Sequence, residues 1–251
     1  MINFGVGKLI AVPTHLADGT AIAVPTPVIL GTMQDVSVDM TVETKTLYGS
    51  LRYPIAAGQG KGKIEVKGKN ADINGGVLGS LFFGKAAATT IKGAALDLPY
   101  SVPGASVYTV TVVAPNSGSF VSDLGVIDGA TGVQLVRVAS APTVGQYSVS
   151  ALGVYTFAAG DASKAVKISF EYSAASGGQL WTISNQVMGY TPAFTLLLQS
   201  AYMGKTLVLK LNRCVSGKLA LPMKADDYTI SDFDAEAFAD GAGEMGYICM
   251  F

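Results

Sequence analysis

The chain has 251 residues, 49% of them hydrophobic and only 14% charged, with a net charge of −1. No global basic field is present to hold nucleic acid tightly, and no apolar run reaches the roughly 18 residues of a membrane-spanning helix. So few charges leave much apolar surface, which predicts burial in an oligomer.

Taken in chain order, the sequence reads as short period-2 segments punctuated by Gly, Pro, Asn and Asp. Gly5–Val12 and Ala21–Val24 flank Ala17-Asp18-Gly19 and suggest a hairpin. Val28–Val42 holds a long strand. Val36, Val38, Met40 and Val42 share one face, and Asp35, Ser37, Asp39, Thr41 and Glu43 the other. In Gly60–Lys69, Lys61, Lys63, Glu65, Lys67 and Lys69 alternate with Gly62, Ile64, Val66 and Gly68, which argues strand. Asn70 or Asp72 then caps one predicted α-helix carrying Ile73, Val77, Leu78 and Leu81 and ending near Phe82-Phe83-Gly84. Gly75 and Gly76 weaken it by roughly 1 kcal/mol each, so tertiary packing must hold it.

Ala86–Ala95 reads as a loop or linker. Tyr108–Val113, Val133–Val138, Gln146–Ser150, Val154–Phe157 and Val166–Tyr172 follow at the spacing of a small β domain, and Ser173–Gly178 is its exit. The division expected is residues 1–99 plus 179–251 as one β domain, with 100–178 inserted into it. Leu180–Asn185, Ala193–Ala201, Thr206–Asn212 and Ser216–Leu221 read as strands, and Lys224–Tyr228 as a helical turn. Ile230–Asp240 places Asp232, Asp234 and Glu236 opposite Phe233, Ala235, Ala237 and Ala239.

No catalytic or metal-binding pattern emerges, and no enzymatic activity or cofactor is expected. Cys214 and Cys249 form no metal or redox spacing and are expected to be half-buried thiols. His15, in a loop-like Pro-Thr-His stretch, has no second histidine to complete a zinc site. No Gly-x-Ser-x-Gly elbow is present, and adjacent Asp226 and Asp227 are not a spaced acid–base pair. Met1–Leu9 lacks the pattern of a signal peptide, which favours a soluble oligomer over an outer-membrane barrel.

The charged strands admit a plain reading as solvated faces. They also admit a sharper one, in which the basic face Lys61, Lys63, Lys67 and Lys69 meets an acidic strand, within the chain or on a neighbour, and sets register between subunits. An acidic wall also suits a conduit for DNA, because it does not grip phosphates. Asp232, Asp234, Glu236, Asp35, Asp39 and Glu43 are the candidates for that wall.

Several phrases carry a resemblance. Gly31-Thr32-Met33-Gln34-Asp35-Val36 and Thr44-Lys45-Thr46-Leu47-Tyr48-Gly49 are followed by the Gly60–Lys69 strand and Leu81-Phe82-Phe83-Gly84. Ser184-Asn185-Gln186-Val187-Met188-Gly189, Cys214-Val215-Ser216-Gly217-Lys218 and Asp226-Asp227-Tyr228 follow in the C-terminal part. In this order, over about two thirds of the chain, they resemble the major tail tube proteins of long-tailed bacteriophages. The resemblance implies an all-β sandwich or barrel flanked by one α-helix, its subunits forming rings, typically hexameric, that stack into the conduit for DNA. It implies tail tip, tape-measure and tail terminator proteins as partners, transient passage of double-stranded DNA, and a place in the virion tail after assembly in the host cytoplasm. Leu47–Gln59 would be the inter-ring loop, with Leu47, Tyr48, Arg52 and Tyr53 at its centre, and the insert would decorate the outer surface. The alternative is a β-sandwich decoration or adhesin module, with Tyr147, Tyr155 and Tyr172 as an aromatic surface. A contractile-type tube lies close to the main reading.

Overall fold

The computed structural model describes residues 5–31, 33–72, 75, 77–185, 187–220, 222–223 and 225–251. Strands in chain order are β1 (Lys8–His15), β2 (Val28–Leu30), β3 (Met33–Tyr48), β4 (Pro54–Asn70), β5 (Ile91–Ser101), β6 (Thr109–Thr111), β7 (Ser119–Asp128), β8 (Val136–Arg137), β9 (Gln146–Val149), β10 (Val154–Phe157), β11 (Ala165–Ala174), β12 (Ala193–Tyr202), β13 (Lys205–Ala220), β14 (Ser231–Phe238) and β15 (Gly246–Met250). The fold is all-β. Two compact units are present: residues 1–87 with 181–251, and residues 88–180.

Unit 1 is one eight-stranded sheet in the order β2-β1-β12-β13-β14-β4-β3, with β15 on β13. Strands β2 and β3 lie at opposite ends of that path, yet Leu30 and Met33 are three residues apart in the chain. Three residues span at most roughly 11 Å, so the sheet must roll until its two edges approach. The inside of the roll is the core. Leu9, Leu30, Val66, Phe194, Leu211 and Phe233 are all at most 2% exposed there, and the Phe194 and Phe233 rings lie 6.1 Å apart. Strand β14 shows how the sequence makes this wall, with Phe233, Ala235 and Ala237 buried while the intervening acids remain half-exposed.

The helical element is wound more widely than the expected α-helix, as a π-helical turn over Val77–Phe82. The proposed cap Asn70 bonds Asp72 from both ends of its side-chain amide. The predicted contributions of Ile73, Asn74 and Gly76 lie outside the described residues. Gly75 and Gly79 give the turn no side chain on the flank where the Trp181 indole rests, and a Cβ at either would overlap that ring. Gly84 ends the element at φ +56, in the left-handed region that favours glycine.

Unit 2 packs the sheet β5-β11-β7 against the sheet β6-β10-β9-β8. Val126, Tyr155, Ile168 and Phe170 are fully enclosed between them. Its two chain ends meet in a bridge: Ala88 N–H donates to Leu180 O at 3.0 Å and Leu180 N–H to Ala88 O at 2.9 Å.

Several expectations are corrected. The small-residue stretch 86–95 is not a linker throughout, because Ile91 onward pairs with β11 and belongs to the insert. Unit 2 accordingly runs from 88 to 180 and not from 100 to 178. Strand β1 takes Val28–Leu30 as its hairpin partner; of the segment Ala21–Val24, Ala21 makes a single bridge to His15. His15 closes β1, partly buried, with Nδ1 3.1 Å from Thr14 Oγ1, and is not an exposed loop residue. Leu180–Asn185 is no strand beyond Leu180, which makes an isolated bridge to Ala88. Residues 225–227 are bends and not a helical turn, with Lys224 outside the described residues. Cys214 is fully buried and Cys249 exposed, so neither is half-buried. Tyr147 and Tyr155 are core residues, not a surface.

Candidate assembly interface

Four segments of unit 1 form a block with a charged outer face. β13 from Arg213 to Ala220 pairs with β14, β14 pairs with β4 from Ile64 to Asn70, and β4 pairs with β3. Every contact is antiparallel. Asp35 and Asp232 stand opposite Lys69 from the two sides, Ser37 and Asp234 opposite Lys67, and Asp39 and Glu236 opposite Glu65. The basic strand therefore meets acidic strands inside its own chain, and the face predicted as a lumen wall and the face predicted as an inter-subunit contact are one surface.

The charges interlock across it. Glu65 pairs with Lys63, and with Lys67 at 3.2 Å; Lys63 reaches Glu236 at 3.8 Å, Lys67 reaches Asp39 at 3.9 Å and Lys218 reaches Asp232 at 3.9 Å. Hydrogen bonding to Glu65 raises the Lys63 pKa, and hydrogen bonds from Lys63 and then Lys67 lower that of Glu65. The like charges that face each other at Glu65 are relieved by the flanking lysines. Lys61 and Glu43 continue the face, lining one shallow cleft with Thr41, Lys63 and Glu236. A second cleft lies among Asp35, Lys67, Lys69, Lys218, Asp232 and Asp234. With Arg213 and Lys45 counted, the acids and bases of β3, β4, β14 and the end of β13 are balanced.

The block has two open edges. Strand β3 ends the sheet, and β13 beyond Cys214 pairs with β14 alone among the described residues. In four successive antiparallel strands the outermost two run in opposite directions. A second copy rotated about an axis along the strands would therefore bring its β13 edge antiparallel to the β3 edge of the first. The edges also differ in sign on the charged face: β3 carries Asp35 and Asp39, and β13 carries Lys218.

The expected inter-ring loop takes a different form. β3 and β4 stay paired as far as Tyr48 and Pro54, well past the point where β14 stops supporting β4 at Ile64. The result is a two-stranded arm exposed on both faces, with Gly49–Tyr53 as its tip. Leu47 and Tyr48 lie on its strand, and Arg52 and Tyr53 in its tip. Leu47, Tyr48, Leu51, Tyr53 and Ile55 are all more than half exposed. Two strands alone are marginal in water, and apolar residues in such number mark a contact surface. The sequence signal for the arm was present, as alternation running on through Tyr48, but the Gly-rich Gly58–Gly62 stretch obscured the return strand.

Sequence reasoning also missed β15, which is exposed along its length and pairs only with β13 among the described residues. Beside it lies a shallow apolar depression of about 390 Å³ lined by Val38, Met40, Leu198, Leu207, Leu209 and Ile248. No group of potential metal ligands occurs among the described residues. No protein-family model matches the chain, and no curated protein matches its sequence.

Proposed function

We propose that the chain is a structural tail tube subunit that polymerises as stacked rings, hexameric in the resemblance, around a passage for double-stranded DNA. The observation that carries this reading is the four-stranded block with open, oppositely directed and oppositely charged edges. Edge pairing between copies would satisfy the unpaired backbone groups that long edge strands otherwise leave exposed. Such a contact is heterologous, and it closes into a ring when the rotation between copies divides the circle.

In that ring the interlocked face lines the lumen. Lys63, Lys67 and Lys218 are engaged by carboxylates of the same face, which leaves fewer free cations to grip the phosphate backbone of passing DNA. The arm then reaches from one ring to the next, and tail tip, tape-measure and terminator proteins meet the ends and the lumen of the tube. Unit 2, closed at its own neck, serves as decoration. The role is architectural and needs no catalysis, and its place is the virion tail.

Negative-stain microscopy with sizing chromatography at rising protein concentration tests this reading. Rings or tubes with an axial hole are expected. Lys218→Glu alone should abolish them, and Lys218→Glu combined with Asp39→Lys should restore them. A monomer that persists when a tail-tip nucleator is added, or one untouched by either change, sinks the proposal in favour of a decoration or adhesin module.

A further inference from the structure

The charged block limits the registers in which its two open edges can meet. Rows of facing residues cross it. Asp35, Lys69, Asp232 and Ala220 form one row, Ser37, Lys67, Asp234 and Lys218 the next, and Asp39, Glu65, Glu236 and Val215 a third. Met40, Ile64, Ala237 and Cys214 face one another in the row that follows. There β12 already flanks β13, with Phe194 on Cys214, so the open length of β13 is Val215–Ala220. Lys218 is its one charged residue. The charged face of the β3 edge carries an acid at every fourth position, Asp35, Asp39 and Glu43, with Ser37 and Thr41 between them.

A slide of one residue at a junction between copies would turn the charged face of the incoming strand over, so the slide must be even. A level junction, with Lys218 on Ser37, adds no stagger, and a sheet closes into a barrel only with a staggered register. Sliding β3 until Lys218 meets Asp35 carries Val38–Met40 alongside Cys214–Asn212, where β12 already lies. That part of β3 is backed by β4 and β14 and cannot swing aside. Sliding it two residues the other way brings Met40 opposite Ser216, clear of β12, and sets Asp39 opposite Lys218.

We propose that copies of this chain join two residues out of step, with Lys218 of one directly opposite Asp39 of the next. The inference rests on the tube reading for its partner and adds the register. Opposite charges attract across an antiparallel pair, and both groups are available. Lys218 lies 3.9 Å from Asp232 and Asp39 lies 3.9 Å from Lys67 in their own copy, with side chains 60% and 50% exposed. The same slide at each junction gives every copy an equivalent place, as a ring requires.

Zero-length carbodiimide coupling of the assembled parent protein tests this, with light and heavy-isotope copies mixed before assembly and the joined peptides read by mass spectrometry. Mixed-isotope Lys218–Asp39 peptides are expected as the leading product between copies, and same-copy Lys218–Asp232 peptides report that coupling worked. Equal joining of Lys218 to Asp35 and Asp39 would mark the level junction, and a lead for Asp35 or Glu43 another slide; each overturns the inference. A second measurement uses protein with Cys249→Ser, Cys214 being buried. Lys218→Cys with Asp39→Cys should give disulfide-linked oligomers on oxidation, and Lys218→Cys with Ser37→Cys should not; the reverse overturns the register. Within one copy these positions stand three strands apart, roughly 14 Å, too far for a disulfide. Microscopy separates this from the tube reading. Hollow tubes without the Lys218–Asp39 product overturn the register and leave the tube standing. That product in material without an axial hole does the reverse, and the absence of both overturns both.

Discussion

Gly79 and Gly75 look, at the level of the residue, like defects in a helix. In the fold they are the seat of Trp181, whose indole occupies the space where their side chains would be. Gly79→Ala is expected to lower stability by about 1–3 kcal/mol through overpacking, although alanine is the better helix former. Urea unfolding of the parent and variant measures it, and an unchanged or raised midpoint would refute the seat. Asp128 in unit 2 offers a second residue-scale test. Its Oδ1 accepts the N–H groups of Thr131 and Ala130 at 3.0 and 2.9 Å, and Lys164 lies 3.3 Å from its other oxygen. The N–H donors of Thr131, then of Ala130, hold its carboxyl below the usual range. A depressed native pKa adds stability above the unfolded value of about 4, and that stability is lost as pH falls through the native value. The melting temperature of the parent should therefore drop on acidification below about pH 4 more steeply than that of Asp128→Asn. Parallel curves would show that Asp128 does not contribute.

The element of most consequence is the β3–β4 arm. Its outer half buries no apolar face, so its local stability must come from hydrogen bonds that are open to water on both sides. In the dispersed protein, amides from Val42 to Tyr48 should exchange with deuterium within seconds, while those of Leu196 and Leu211 stay protected. In assembled material the arm amides should become protected. Protection in the dispersed state would mean that the arm is already covered. Alternation identified β14 and β4 from Ile64 onward because each buries one face and wets the other, whereas in β3 Val36 and Val38 are half-buried and Met40 and Val42 are exposed where a buried face was expected. It failed for Leu180–Asn185, of which Leu180 alone forms a bridge, and for β15, whose five exposed residues carry no contrast between faces.

At the scale of the molecule, each unit has its own core. In unit 2, Asp123 is nearly buried and accepts the hydroxyls of both Tyr147 and Tyr155 at 2.8 Å, with Arg137 3.6 Å away. Burial, reinforced by that carboxylate, raises both tyrosine pKa values, so the hydroxyls remain donors. Asp161 is likewise enclosed, bonded by Lys164 at 2.9 Å and by Gly145 N–H at 3.0 Å. With its buried polar groups satisfied and its ends bridged, residues 88–180 should fold when produced alone. Joining residues 87 and 181 by a short Gly-Ser link should leave unit 1 folded. Calorimetry should resolve two transitions in the intact chain, each recovered in one fragment. A fragment that fails to unfold cooperatively would mean that the units depend on each other.

Composition and periodicity by themselves determined that this chain is built of strands, which faces of β14 and of the second half of β4 are wet, and that a separate β block interrupts the larger one. These features depend on the alternation of side chains along a single strand, which is written in the sequence. Only the tertiary structure decided that the basic strand lies between two acidic ones and that a paired arm extends where a loop was expected. Those depend on which strands become neighbours and where each loses its partner. The pairing of β4 with β14 joins residues more than a hundred positions apart, as Lys69 and Asp232 show, and no local pattern encodes it.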